Sequence, residues 1–252
     1  MPEVISAALD TAGLGWLLLI ALIAGTVYGF AGFGAALFYM PVAVIFLPPA
    51  AAIAAFSVSA VSSFVTVVPK ALPLVDRKAV TVLIVTATLS ASVGIYVLSI
   101  TDVTIIRWCV VAICATTLIA LIAGWRYSIT PSTVTRAGIG TAAGFVGGVS
   151  GLTGPIMVLF QLAGGDNPAT TRATTIVFLT ITSLLMLPLL AFQGLLTGST
   201  LVLGGFLLLP YGVGTYLGQA MFTPGRERFY RTVAYVIIGA ATVAGLPIWD
   251  QI

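Results

Sequence analysis

Gly29-Phe30-Ala31-Gly32-Phe33-Gly34 lies inside Thr11–Pro69, a run of 59 residues without Asp, Glu, Lys or Arg. A second cluster, Gly147-Gly148-Val149-Ser150-Gly151-Leu152-Thr153-Gly154-Pro155, lies inside the 29-residue charge-free run Ala137–Gly165. Glycine costs about 1 kcal/mol in a helix interior, and proline removes a helical hydrogen bond. Each cluster therefore breaks a hydrophobic run into two short helices. The expected pairs are Leu14–Phe30 with Ala35–Leu47, and Arg136–Val149 with Pro155–Ala163.

The rest of the chain is apolar in the same way. Further charge-free runs are Ala79–Thr101, Trp108–Trp125, Ala173–Gly225 and Thr232–Trp249. A spanning helix needs about 20 apolar residues, so these runs hold one helix each, except the 53-residue Ala173–Gly225, which holds two. That adds segments at Ala50–Val68, Ala79–Ser99, Ile105–Ala123, Ala169–Ala191, Gly198–Met221 and Phe229–Trp249, ten in all. Runs such as Leu17–Ile23 are apolar on every side, which favours helices over an alternating β-barrel. Of 252 residues, 60% are hydrophobic and 7% charged, against about 25% charged in soluble domains. A soluble globule and a disordered chain are both excluded, leaving an all-α integral membrane protein surrounded by lipid. The N-terminus has Glu3 and Asp10 but no basic stretch ahead of Leu14, unlike a signal peptide.

Shifted by 119 residues, the chain aligns with itself. Gly25 falls on Gly144, Gly29 on Gly148, Gly32 on Gly151, Pro49 on Pro168, Ser63 on Thr182 and Pro69 on Pro188. At a shift of 120, Gly94-Ile95-Tyr96 falls on Gly214-Thr215-Tyr216. The expected organisation is an outside segment 1–13, a first repeat 14–125, a cytoplasmic connection 126–135 and a second repeat 136–252. Each repeat has a broken or re-entrant helix hairpin followed by three transmembrane helices. With both termini outside, nine of the ten basic residues fall on the inner face, Arg107 being the exception. Each repeat then crosses an odd number of times, so the two are inverted. Matched, interrupted hydrophobic segments in inverted halves mark a transporter's binding site.

The pattern resembles the TauE/SafE (TSUP) family of membrane transporters, whose two homologous halves each open with a Gly-rich hairpin. Here the first half has Gly29-Phe30-Ala31-Gly32-Phe33-Gly34-Ala35-Ala36, then Pro41 and Pro48-Pro49-Ala50. The second has Gly148-Val149-Ser150-Gly151-Leu152-Thr153-Gly154-Pro155, then Asn167-Pro168-Ala169. It departs from the family pattern where late glycines become Ala35 and Ala36, or Pro155. The resemblance implies transport of sulfite, organosulfonates or related sulfur oxyanions across a cell inner membrane.

The candidate site follows from the backbone at the breaks. Lipid offers no partner to a free N–H, so irregular backbone at depth lines a cavity or is buried in protein. A helix N-terminus carries about half a positive charge and several free N–H groups, an anion site once glycine uncovers it. Gly32, Phe33, Gly34 and Ala35 face Gly151, Leu152, Thr153 and Gly154 in this reading, and Ser150 and Thr153 add hydroxyls. The competing reading is that the glycines only permit close helix packing. Hydroxyl-rich segments follow each hairpin, including Ser57, Ser59, Ser62, Ser63 and Thr66, and Thr170, Thr171, Thr174, Thr175, Thr180 and Thr182. Ser59, Thr174 and Thr175 are taken as candidates against simple back-bonding to the i−4 carbonyl. Arg172 is either an anion contact or an inside-surface anchor, and Gln161 is a lone amide on an apolar helix. Cys109 and Cys114 are expected to be small core residues.

The chain has no histidine, and no segment holds an Asp or Glu, so no catalytic residue, metal site or cofactor is expected. No partner beyond substrate and lipid is called for: no nucleic acid, with a homodimer left open. Proton-coupled pumps usually carry an intramembrane carboxylate or histidine. Export of an anion from a negative cell interior runs downhill by about 2.3 kcal/mol per charge per 100 mV, so potential-driven export needs none. Three alternatives remain. One is an aquaporin-like channel for neutral solutes, prompted by Asn167-Pro168-Ala169, although the other half lacks the asparagine. The others are a cation-coupled sulfonate importer and a non-transporting scaffold.

Overall fold

The computed structural model describes residues 2–124, 132–163, 168–221 and 227–248. Those residues are helical throughout, with no strand among them. In chain order the helices are α1 (Pro2–Leu9), α2 (Leu14–Ala31), α3 (Ala35–Phe46), α4 (Pro49–Ser59), α5 (Ser63–Thr66), α6 (Val68–Ala71), α7 (Arg77–Ile100), α8 (Val103–Ile122), α9 (Thr133–Ser150), α10 (Gly154–Ala163), α11 (Pro168–Phe192), α12 (Gly198–Met221) and α13 (Glu227–Ala244). Each of the ten expected segments overlaps a described helix, but the last, expected as a span over Phe229–Trp249, ends at Ala244 with only Thr232–Ala244 apolar. The third is split by a 3-10 turn at Ala60–Ser62 between α4 and α5. Six stretches are long and apolar enough to cross a bilayer: α2, Pro49–Thr66, α7, α8, α11 and α12. Their outward faces carry Leu89, Val93, Ile119 and Leu209, all more than half exposed, as a lipid-facing surface requires. The protein is a multi-pass membrane protein.

The ends of the helices are set by local chemistry. Asp76 caps α7 by accepting from the Lys78 and Ala79 N–H groups, at 3.0 and 3.2 Å. Asp102 caps α8 by accepting from Thr104 N–H at 2.8 Å, which holds its carboxyl below the usual carboxylate range. Ser132 caps α9 through the Thr135 N–H at 3.1 Å. Pro49 stands in the first turn of α4, where its missing N–H costs nothing.

Two helix crossings hold the halves together, α2 on α12 and α9 on α7. Both are backbone-to-backbone contacts. A Cβ on Gly29 would strike the Thr215 carbonyl, and one on Gly148 would strike the Ala91 carbonyl. The two crossings repeat one register. Gly218 faces the Thr26 carbonyl as Gly94 faces the Phe145 carbonyl. The first helices match at the spacing of 119, but their partners match at 124. Gly94 thus packs like Gly218, one helical turn beyond the Gly214 with which it aligns by sequence. The difference arises because packing follows helix phase, and a four-residue step returns a glycine to nearly the same face.

Helices α3 and α10 are too short to span. At 1.5 Å per residue, 12 and 10 residues rise roughly 18 and 15 Å, against about 30 Å of hydrocarbon. Each packs against the long helix of its own hairpin and against the last helix of the other half of the chain, α3 on α13 and α10 on α8. Their N-termini are thereby held inside the bundle.

Candidate functional site

The first break begins where Gly32 turns left-handed, at φ 79°, and donates its N–H to the Tyr28 carbonyl at 2.8 Å. Gly34, at φ 90°, then starts α3. Any side chain would be strained at either position. The second break repeats the first half of this design. Gly151, at φ 76°, donates to the Gly147 carbonyl at 2.7 Å. Its later residues differ: Thr153 stands where Gly34 does, and Pro155 where Ala36 does.

Both breaks open on one cavity. Its wall includes Gly34, Ala35, Ala36 and Leu37 from the first, and Gly151, Thr153, Gly154 and Pro155 from the second. Tyr28, Phe56, Ala60, Ser63, Leu179, Thr180, Ser183 and Tyr211 complete it. The free volume is about 30 Å³, room for about two waters or one compact oxyanion group. Among the described residues, no charged side chain lines it. The polar groups are the N–H groups at the starts of α3 and α10, and hydroxyls. The first turn of α3 has no side-chain cap, and the first N–H bonded back along the chain is that of Phe38, to Gly34 O at 3.1 Å. The Ser63 hydroxyl is fully buried and lies beside the Tyr211 hydroxyl without a hydrogen bond of normal geometry. A poorly paired buried hydroxyl is costly and calls for an explanation. Tyr28 donates to the Ile176 carbonyl at 3.0 Å and lies 2.9 Å from the Thr180 hydroxyl, which ties the first hairpin to α11. The rings of Tyr28, Tyr211 and Phe56 pack together, Phe56 edge-on to Tyr211 at 5.7 Å.

Of the residues expected from sequence, Gly34, Ala35, Gly151, Thr153 and Gly154 line the cavity. Gly32, Phe33, Ser150 and Leu152 belong to the breaks but not to its wall. Ser150 is used internally: its hydroxyl donates to the Val146 carbonyl at 2.7 Å and accepts from the Leu152 N–H at 3.3 Å. Ser59 and Thr175 bond back to their own helices, at Phe56 O and Thr171 O. Thr174 is half-buried on α11, away from the wall. The side chain of Gln161 and the residue Asn167 lie outside the described residues. Arg172 does not line the cavity. It donates to the Gly29 carbonyl at 2.6 Å and lies over Gly32, whose added Cβ would come within 2.7 Å of Arg172 Cγ. A cation at the C-terminal carbonyls of α2 is favourably placed against the helix dipole. In the other half Ile53 covers Gly151, a Cβ there approaching Ile53 Cγ1 at 2.9 Å. These two contacts exchange under the spacing of 119, since Ile53 is the counterpart of Arg172.

Sequence reasoning missed Tyr28, Phe56, Ser183 and Tyr211. Aromatic residues on apolar helices carry no mark that separates cavity wall from core. Ser63 and Thr180 were within the hydroxyl-rich segments but were not singled out.

A multi-pass helical membrane protein with a small, mostly apolar cavity at paired helix breaks, and no buried carboxylate or histidine among the described lining residues, is built as a transporter of a small solute. The chain belongs to the sulfite exporter TauE/SafE family, whose model matches residues 17–245. That family implies a small anionic sulfur compound as the solute. No curated protein and no solved structure matches the chain.

Proposed function

We propose that the protein exports a small sulfur oxyanion, sulfite or a short organosulfonate, held between the N-termini of α3 and α10 near the bilayer midplane. The observation that carries this reading is the convergence of both breaks on one cavity without a charged side chain among its described lining residues, with the buried Ser63 hydroxyl in its wall. Two helix N-termini favour negative charge, and hydroxyls donate without adding a fixed cation. The two halves act as inverted repeats, a reading supported by the exchanged contacts Gly32–Arg172 and Gly151–Ile53. Lys70 reaches Gln219 at 3.0 Å, so the ends of α6 and α12 lie together, a pairing that supports one basic face. By the positive-inside rule that face is cytoplasmic, and both termini are outside.

The membrane potential drives export, at about 2.3 kcal/mol per charge per 100 mV. Reconstitution into liposomes tests this. Sulfite flux should rise with an outward-directed driving potential and persist without a pH gradient. Flux indifferent to potential and dependent on a pH gradient would overturn the mechanism. Swelling with neutral solutes alone would favour the channel reading instead.

A further inference from the structure

The wall of the cavity sets an upper limit on the charge it can hold. Its described residues include no Lys, Arg, Asp or Glu. Its positive field comes from two helix N-termini, each about half a unit, so about one unit at most. The same breaks also hold the negative C-terminal ends of α2 and α9, which subtract from that sum. At the first break Arg172 offsets this by donating to Gly29 O, at the end of α2. At the second, Ser150 bonds to Val146 O and Ile53 covers Gly151, so no cation is added. A second negative charge in so small a cavity would stand uncompensated in a low-dielectric surrounding.

The wall also limits the hydrogen bonds. Pro155 has no N–H, so the start of α10 offers one donor fewer than the start of α3, where Ala35, Ala36 and Leu37 all line the cavity. The Tyr28 proton is committed to Ile176 O, so Thr180 donates to Tyr28 and keeps lone pairs of its own. The wall therefore combines donors at one group of oxygens with an acceptor hydroxyl beside them.

We infer that the transported species is a monovalent oxyanion, and that divalent oxyanions of the same size are rejected. This rests on the reading of the cavity as the anion site. For the sulfite system the bound form is hydrogen sulfite, whose own O–H suits an acceptor such as Thr180. Among the described residues, the titratable and charged groups around the cavity are Tyr28 and Tyr211 in the wall and Arg172 behind Gly32. The pH dependence of binding accordingly belongs to the ligand.

Equilibrium binding to the purified full chain, across the second ionisation of sulfurous acid near neutral pH, tests this with three probes. Methanesulfonate is monovalent throughout, sulfate is divalent throughout, and sulfite changes between the two. The apparent affinity for total sulfite should fall about tenfold per pH unit above that ionisation, as the monovalent fraction does. Methanesulfonate binding should stay flat, and sulfate should compete at least about tenfold more weakly than methanesulfonate. Sulfite affinity that is flat or rises with pH, or sulfate competing as well as methanesulfonate, would overturn the charge limit and leave the anion site standing. Binding of none of the three would overturn both. The variant Ser63→Ala should weaken hydrogen sulfite and methanesulfonate together, without restoring sulfate. Sulfate gaining on the monovalent probes in that variant would count against the inference.

Discussion

The two helix breaks share an origin in the repeat pattern, yet the structure finishes them differently. The α2–α3 break has two left-handed glycines, Gly32 and Gly34, with Arg172 over the first. The α9–α10 break has one, Gly151, with Ile53 over it and with Thr153 and Pro155 completing the turn. The first break is thus strained if substituted, rich in N–H donors and braced by a cation. The second is strained at Gly151 alone, poorer in backbone donors and supplied with a hydroxyl. A shared backbone device, the left-handed glycine that ends each long helix, is thus supported by different chemistry in each half.

Substitution at the left-handed glycines should separate the breaks most strongly. Gly32→Val forces a β-branched residue to φ 79° against the Arg172 stem, a cost of about 2 kcal/mol or more. It should lower the melting temperature in detergent by several degrees and abolish transport. Gly154→Ala meets only the Leu179 methyl groups at 3.9 Å and should leave both nearly unchanged. Equal damage from the two would break the comparison.

Arg172→Met keeps an apolar stem over Gly32 and removes the bond to Gly29 O. A hydrogen bond to a charged group contributes about 1.5–3 kcal/mol. Thermal stability should drop by a few degrees, and anion affinity by about tenfold as the C-terminal carbonyls of α2 lose their cation. Ile53→Leu, the matching change at the other break, should leave both within error.

Ala36→Pro sharpens the donor argument, because the opposite half already carries Pro155 at the corresponding position. Proline is tolerated in a first helical turn, so the fold should persist. One N–H is lost from the cavity, and anion affinity should fall about tenfold by isothermal titration. An unchanged affinity would remove the first turn of α3 from the site.

The smallest effects should divide the hydroxyls of the second break. Thr153→Val should weaken binding a few-fold with little change in stability. Ser150→Ala should cost about 1 kcal/mol of stability through the lost bonds to Val146 O and Leu152 N, with affinity preserved. The reverse pattern would exchange their roles.

The helices were legible from sequence because charges are excluded from hydrocarbon, so the charge-free runs outline them directly. The breaks were legible because only glycine accepts the left-handed turns at Gly32, Gly34 and Gly151. Which hydroxyls face the cavity was not. The 3-10 turn at Ala60–Ser62 changes the helical phase between Ser59 and Ser63, so that Ser59 bonds back to Phe56 while Ser63 lines the wall. Arg172 illustrates the same limit. Its position at the start of α11, after the second hairpin, made it a candidate anion contact or surface anchor, and only the packing shows it on the Gly29 carbonyl of the first break. Tyr28 and Tyr211 lie on apolar faces where core and cavity residues look alike.

The central claim is that one anion sits between the starts of α3 and α10. Anomalous diffraction from crystals grown with hydrogen selenite, a heavier analogue of hydrogen sulfite, tests it most directly. The account predicts a selenium peak within hydrogen-bond reach of the first-turn N–H groups of α3 and of Gly154, beside the Ser63 hydroxyl. A peak on the Arg172 guanidinium, away from both helix starts, would contradict it.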